Sequence, residues 1–165
     1  TLIQDYAKQY KDLSKVFYEV NNELCKGNAE GLFVTCWFGR LNTKTGEVTY
    51  INAGHNPPLI KRESGFEYLN SEPDLVLAAM EDMPYEEHAI QLGHSDMIYL
   101  YTDGVTESND NYKGFYGEER LKNILNNHKN DDLNIIVDSI KKDIDDFCNN
   151  QEHFDDTTMF ILRFN

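Results

Sequence analysis

Two short acidic motifs in this sequence have the residue types and the placement of a divalent-metal site. One apolar run, residues 97–101, ends just before Asp103-Gly104, and a second, residues 159–164, begins just after Asp155-Asp156. A carboxylate at the end of a buried strand is costly unless a partner compensates its charge. A divalent cation bound by several oxygen atoms is such a partner. The pattern therefore predicts part of a metal site.

Each motif also has a purely structural interpretation. Asp-Gly is a common turn pair, and an Asp-Asp pair before an edge strand can form a solvated turn. The two motifs taken together favour metal binding, because neighbouring strands of a sheet lie about 5 Å apart and acids at two adjacent strand ends can share a cation.

A histidine in a constrained segment is a further candidate site residue. His55 follows Gly54, which allows a close backbone approach, and Asn56 precedes two prolines that fix the exit of the chain. The sequence leaves two roles open for His55: it lines a site, or it has a purely structural role. The sequence contains no GxSxG elbow, Walker loop or HExxH helix, so these other chemistries are not indicated.

The elements that must position these residues follow from apolar periodicity and turn signals. Helices are predicted at residues 2–26, 105–108 and 117–128. A further helix with one apolar face is predicted to follow an N-cap at Asp131. Strands are predicted at residues 32–41, 48–52, 59–61, 66–69, 88–92, 97–101 and 157–164, with a hairpin turn at 42–46. This order predicts an α+β fold in which helices lie on antiparallel sheets.

Composition limits the function classes. A length of 165 residues favours one domain, 1–165. The net charge of −14 disfavours nucleic acid and anionic membrane as partners and favours solubility. Three scattered cysteines without a CxxC motif predict reduced thiols, and no apolar stretch is long enough to span a membrane. A cytoplasmic location is expected, with any membrane tether supplied by upstream segments.

Four ordered blocks carry a family resemblance. They are Gly31-Leu32-Phe33-Val34-Thr35 with Thr45-Gly46-Glu47-Val48-Thr49-Tyr50-Ile51, then Asn52-Ala53-Gly54-His55-Asn56-Pro57-Pro58, then Leu100-Tyr101-Thr102-Asp103-Gly104-Val105-Thr106-Glu107 with Phe115-Tyr116-Gly117, and finally Asp155-Asp156-Thr157-Thr158. The chain resembles the SpoIIE-type serine phosphatases, the bacterial regulators of sporulation and stress-response sigma factors. These belong to the metal-dependent, type 2C-like phosphatase superfamily.

The resemblance implies an antiparallel β-sandwich flanked by helices, with two Mn²⁺ or Mg²⁺ ions at one end. It implies that Asp103 and Asp155 are metal ligands, whereas Asp156 and Gly104 lie beside them. The ions would generate the attacking hydroxide and offset the charge on the phosphoryl group.

The same resemblance places other residues near the site without assigning them a chemical step. His55 and Asn56 match the Asn-Ala-Gly-His block beside the site. Residues 109–117 match a mobile segment where substrate contact is expected.

The chain departs from the family pattern in one respect. The Gly-Asp-rich strand end and the Gly-Asp-Val block that precede the long helix in the family do not occur in this sequence. We therefore expect a C-terminal portion of the domain that lacks the first strands and binds no metal, or one ion weakly. We also expect a fragment that is inactive alone and has open sheet edges that would permit a homodimer.

The function that follows is hydrolysis of a phosphoserine monoester, with a phosphorylated anti-sigma-factor antagonist as the protein substrate. Two alternatives belong to other classes. One is a non-catalytic phosphatase-like module that binds a signalling partner, and the other is a Ca²⁺-stabilised fold without catalysis.

Overall fold

A computed structural model describes residues 2–109, 114–149 and 156–165. The described residues form an α+β fold, as predicted. The helices are α1 Leu2–Gln9, α2 Leu13–Cys25, α3 Asp103–Thr106, α4 Glu118–Asn127 and α5 Leu133–Phe147. The strands are β1 Cys36–Leu41, β2 Glu47–Ala53, β3 Leu59–Arg62, β4 Gly65–Tyr68, β5 His88–Gln91, β6 Met97–Tyr101 and β7 Met159–Arg163. Two compact units divide the chain: unit 1 is Thr1–His55 with Ser71–Leu92, and unit 2 is Asn56–Asn70 with Gly93–Asn165.

The N-terminal part of unit 1 contains two helices where one was predicted over residues 2–26. Asp12 separates them, since its backbone is extended (φ −79°, ψ 119°) and its carboxylate accepts the N–H of Ser14 at 2.9 Å. This is the geometry of an N-cap, which starts a new helix at Leu13. Apolar periodicity continues through this break, which explains why the prediction was wrong there.

The sheet of unit 1 is antiparallel, with the strand order β1-β2-β5. The predicted turn at residues 42–46 is confirmed, because β1 and β2 pair in register from Cys36 with Ala53 to Leu41 with Val48. The strand predicted at 32–41 begins only at Cys36. Val34 instead forms an isolated bridge with Leu77, with two backbone hydrogen bonds of 3.0 and 2.9 Å.

The core of unit 1 lies between α2 and the sheet. The spacing of apolar residues in α2 places one face of the helix toward the strands. The buried residues of this core are Leu13, Val16, Phe17, Val20, Ile51, Ala53, Leu77 and Tyr85.

The sheet of unit 2 has the order β4-β3-β6-β7, and all its neighbouring pairs are antiparallel. Helices α4 and α5 contribute apolar side chains to one core with this sheet. The buried core includes Leu59, Phe66, Met97, Tyr99 and Tyr101 from the strands and Leu121, Leu125, Ile136, Ile140, Ile144 and Phe147 from the helices. Strand β6 is central and buried, so the residues that follow it are held at a rigid edge.

Two predicted helix starts in unit 2 are corrected. The short helix α3 begins at Asp103 and ends at Thr106, whereas residues 105–108 were predicted. The N-cap position of α5 is Asp132, with an extended backbone, rather than Asp131. Asp131 instead accepts a contact from His128 Nδ1 at 2.8 Å. Within the described ranges, no helix has the length and apolar character needed to cross a bilayer.

Candidate metal site

Asp103 lies immediately beyond the buried strand β6 and opens α3. Thr102 has an extended backbone (φ −90°, ψ 160°), so the chain turns from strand into helix at Asp103. The Asp103 side chain is exposed, and its Oδ1 accepts the N–H of Gly104 at 3.0 Å. A carboxylate is therefore presented to solvent from a fixed strand end, and one of its oxygens is oriented by the backbone.

Gly104 is a point of close approach between two segments that are distant in sequence. A Cβ atom on Gly104 would lie 2.6 Å from the carbonyl oxygen of Asp156 and 3.1 Å from its carbonyl carbon. Both atoms belong to the backbone, so they cannot rotate away as a side chain could. A side chain at position 104 would push the Asp156 segment away from α3.

Threonine hydroxyl groups join the same two segments. Strands β6 and β7 pair up to Tyr101 with Met159. Beyond the strands, Thr102 Oγ1 donates to the Asp156 carbonyl oxygen at 3.2 Å and accepts the Thr158 N–H at 3.0 Å. Thr157 Oγ1 donates to the Gly104 carbonyl oxygen at 3.3 Å.

The sequence analysis did not predict that these threonines join the two acidic segments. The available signal was that each acidic motif carries hydroxyl groups next to its acids, in Thr102-Asp103 and Asp156-Thr157-Thr158.

The structure describes some of the predicted site residues and not others. Asp155, the second predicted ligand, lies outside the described residues, as do residues 110–113 of the predicted substrate segment. Asp156 is described and exposed, and its backbone contacts Gly104 and Thr102. The structure thus brings the Asp103 and Asp156 segments together at one edge of the unit 2 sheet.

His55 lies in unit 1, at the end of β2. The buried side chain of Asn52 holds the His55 backbone through two hydrogen bonds. Asn52 Oδ1 accepts the His55 N–H at 2.8 Å, and Asn52 Nδ2 donates to the His55 carbonyl oxygen at 3.0 Å. Gly54 has a φ of +69°, and a Cβ there would lie 2.3 Å from Val76 Cγ1. The His55 ring contacts Thr35 through Nδ1 at 3.2 Å. The backbone of His55 is therefore held by a buried amide.

Asn56 begins unit 2 and is half-buried beside the end of β6. Burial raises the pKa of the Tyr101 phenol to about 12, and the side chains of Tyr68 and Asn56 act in the opposite direction. The phenol is therefore neutral at physiological pH.

The donor chemistry at Asp103 fits a hard divalent cation in part. Mg²⁺ and Mn²⁺ prefer oxygen ligands in octahedral geometry, and carboxylates and water supply them. Among residues 2–109, 114–149 and 156–165, no three His, Cys, Asp or Glu side chains form a group that could hold a metal. The described part of the candidate site therefore offers the Asp103 carboxylate but no complete set of ligands.

Comparison with solved structures agrees with this fold. A solved structure of the PP2C phosphatase domain of SpoIIE from Bacillus subtilis, with a fragment of its regulatory domain, superposes with a TM-score of 0.81 at 17% identity. It covers 98% of this chain and 48% of that one. The manganese-presoaked phosphatase domain of the same protein gives a TM-score of 0.70 at 16% identity, with 99% and 72% covered. The fold is therefore that of a PP2C-type phosphatase domain.

The family follows from the sequence comparison. The family model of Stage II sporulation protein E (SpoIIE) matches residues 1–165, so the chain belongs to the SpoIIE family. Phosphoserine phosphatase RsbU of Bacillus subtilis (strain 168) is 27% identical over 151 residues, covering 91% of this chain and 44% of that protein. The chain spans less than half the length of the curated relatives that it matches.

Proposed function

We propose that this chain is part of a metal-dependent protein-serine phosphatase that hydrolyses a phosphoserine monoester. The observation that carries the proposal is the junction at the end of β6, where Gly104 and Thr102 contact the Asp156 backbone and Asp103 presents its carboxylate. Membership of the SpoIIE family supports it, and so does the likeness to a relative named phosphoserine phosphatase. An anti-sigma-factor antagonist is the substrate class that we propose on the same ground.

Asp103 and Asp155 would be the residues that hold Mn²⁺ or Mg²⁺. A divalent ion bound there would supply Lewis-acid stabilisation of the phosphoryl oxygens and a nucleophilic water of lowered pKa. The other residues of the chain would orient Asp103 and fix the spacing of the two acidic segments. The Gly104 N–H orients Oδ1 of Asp103, while Thr102 and Thr157 fix the spacing of the two acidic segments. Asn56, which belongs to the same unit as Asp103, would line the site.

The charge of the chain gives the metal a second role. With a formal net charge of −14, the protein repels a phosphorylated substrate at long range. A bound divalent cation reverses the local field at the site. We therefore propose that divalent cations are required for substrate capture as well as for the chemical step.

The central test uses the full-length protein and a synthetic phosphoserine peptide with Mn²⁺. Asp103→Asn keeps the size and the hydrogen-bonding oxygen of the side chain but removes its charge. We expect phosphate release to fall by more than about 100-fold, because the loss of a ligand exceeds the usual effect of losing its supporting partners. The midpoint of thermal unfolding should change little.

Asp138→Asn is the matched control, because Asp138 is an exposed carboxylate on α5 in the same unit. It should leave phosphate release unchanged. Full activity in Asp103→Asn would contradict the proposal. If the full-length wild-type protein binds a phosphorylated partner but releases no phosphate, the non-catalytic module is the correct interpretation.

We further propose that residues 1–165 alone have little activity. The support is that the Gly-Asp-Val block of the family does not occur in these 165 residues. The measurement is Mn²⁺-dependent phosphate release by residues 1–165 and by the full-length protein, at equal concentration. Equal rates would contradict this proposal and leave the phosphatase proposal in place.

A further inference from the structure

Two arms, residues 106–109 at the end of α3 and residues 114–117 before α4, are joined by backbone hydrogen bonds. The Gly117 N–H donates to the Thr106 carbonyl oxygen at 2.9 Å, and the Tyr116 N–H donates to the Ser108 carbonyl oxygen at 2.8 Å. Asn109 and Phe115 form an isolated antiparallel bridge. The position of one arm therefore determines the position of the other.

The first arm is fixed to the helix that carries Asp103. Ser108 is buried, and its hydroxyl donates to the Gly104 carbonyl oxygen at 2.7 Å. The Glu107 N–H donates to the Asp103 carbonyl oxygen at 2.7 Å. A displacement of the first arm would therefore move the backbone of Asp103 and Gly104.

The second arm is fixed by a network of side chains at its last residues. Tyr116 is 3% exposed, and its phenol donates to Asp143 Oδ2 at 2.6 Å. Arg120 binds the same carboxylate with two hydrogen bonds, from Nε to Oδ2 at 2.9 Å and from Nη2 to Oδ1 at 2.8 Å. The Arg120 guanidinium also lies 5.1 Å from the centre of the Tyr116 ring.

Helices α4 and α5 of unit 2 together hold this network. Arg120 is in α4 and Asp143 is in α5. Phe147, one turn after Asp143, meets the Tyr116 ring edge-on with ring centres 5.6 Å apart. Bidentate arginine–carboxylate pairs are geometrically specific, so the phenol is held in one orientation.

We propose that Tyr116, Arg120 and Asp143 form a network that positions Asp103. The network acts by holding the two paired arms in place. The inference rests on the proposed function, because it assigns the network to the metal that Asp103 would bind. The network touches neither substrate nor metal. Its effect is to fix the backbone on which the ligand stands, and so to set the affinity for the divalent cation.

The test is Mn²⁺ binding by the full-length Tyr116→Phe variant, measured by isothermal titration calorimetry. This change removes one O–H donor and keeps the buried ring. We expect the Mn²⁺ dissociation constant to rise about 10-fold, the lower end of the range for residues that orient a metal ligand. Hydrogen exchange at the amides of Tyr116 and Gly117 should become faster, and excess Mn²⁺ should restore most of the phosphatase rate.

Tyr18→Phe is the matched control. Tyr18 also donates from its phenol to an aspartate, Asp82, at 2.6 Å, but it lies in unit 1. Its removal should leave the Mn²⁺ dissociation constant unchanged. A purely structural loss in Tyr116→Phe would lower the unfolding temperature without altering that constant. If Tyr116→Phe does not fold, Arg120→Lys supplies the same test, because it keeps the charge and loses the two-point contact.

Asp103→Asn, measured alongside, separates the two possible failures. If Asp103→Asn loses Mn²⁺ binding and Tyr116→Phe binds as the wild type does, the positioning network is refuted and the proposed function stands. If Asp103→Asn binds Mn²⁺ as the wild type does, the proposed function is refuted, and the network assignment with it.

Discussion

Gly104 and the backbone of Asp156 are in contact so close that no side chain fits between them. The carbonyl oxygen of Asp156 lies 2.6 Å from the place where a Cβ on Gly104 would stand. The two positions are 52 residues apart in the sequence, so no local interaction explains this contact. It exists because β6 and β7 are neighbours in the sheet of unit 2.

Gly104→Ala should therefore damage the junction. We expect a loss of about 1–3 kcal/mol in the free energy of unfolding, the usual cost of overpacking, measured by urea denaturation. Gly93→Ala is the control in the same unit, since a Cβ at Gly93 would meet only Asp96 side-chain atoms, at 3.5 Å or more. Equal stability of the two variants would show that the contact is not rigid.

Asn52→Ala should destabilise unit 1 through His55. The change removes a buried side chain that makes two hydrogen bonds to the His55 backbone. The expected cost is about 1–3 kcal/mol, because the His55 N–H and carbonyl lose their partner. Asn42→Ala is the comparison, because Asn42 also binds backbone N–H groups but in an exposed turn, where water replaces it. Its cost should be about 0.5 kcal/mol. Chemical denaturation of both variants gives the difference, and a smaller loss for Asn52→Ala would contradict the role of Asn52 in holding His55.

Alkaline pH should destabilise the protein through Tyr101. Burial raises the pKa of this phenol from 10.0 to about 12, so the folded state holds its proton more tightly than the unfolded state does. The stabilisation is complete below pH 10 and is lost as the pH rises from 10 to 12, at no more than about 1.4 kcal/mol per pH unit. Unfolding free energies at pH 8, 10 and 11 should fall less steeply in Tyr101→Phe than in the wild type. Parallel curves would contradict this assignment.

Acidic pH should weaken the contact between Asp143 and Arg120. The hydrogen bonds from Arg120 lower the pKa of Asp143 below 3.8, so the folded state favours the carboxylate. The stabilisation is present above pH 3.8 and is lost as the pH falls through the lowered pKa. Because the Arg120 side chain is 41% exposed, water screens the pair and the effect should be about 1 kcal/mol at most.

The measurement for this pair compares Asp143→Asn with the wild type by urea denaturation at pH 7 and pH 3. The variant should be the less stable protein at pH 7, and the difference should shrink at pH 3. A difference that grows as the pH falls would contradict the lowered pKa.

Strong local signals account for the parts of the fold that the sequence predicted well. The apolar run of β6 and the single apolar face of α5 were both recognised from spacing alone. The break at Asp12 was not, because the apolar spacing crosses it and a cap is visible only from backbone angles. The N-cap position of α5, Asp132, was missed by one residue, because adjacent aspartates offer the same capping chemistry.

The candidate site shows a different limit. Asp103 was a candidate from the sequence because a carboxylate at the end of a buried run is costly without a partner. The roles of Thr102 and Thr157 were not, since hydrogen bonds across more than fifty residues of sequence have no period. The same limit applies to Tyr116, whose partner Asp143 lies on α5, 27 residues later in the sequence.

The pairing of β6 with β7 has a consequence for how the protein is synthesised. Asp103 leaves the ribosome before the strand that completes its surroundings, because Met159–Arg163 follows more than fifty residues later. Pairing of segments so far apart in sequence is slow, since a long loop must close first. Until that strand is translated, the edge of β6 remains unpaired and is open to pairing with other nascent chains. The candidate metal site is thus assembled late in biogenesis, and a stall between the two strands would release a chain prone to aggregation.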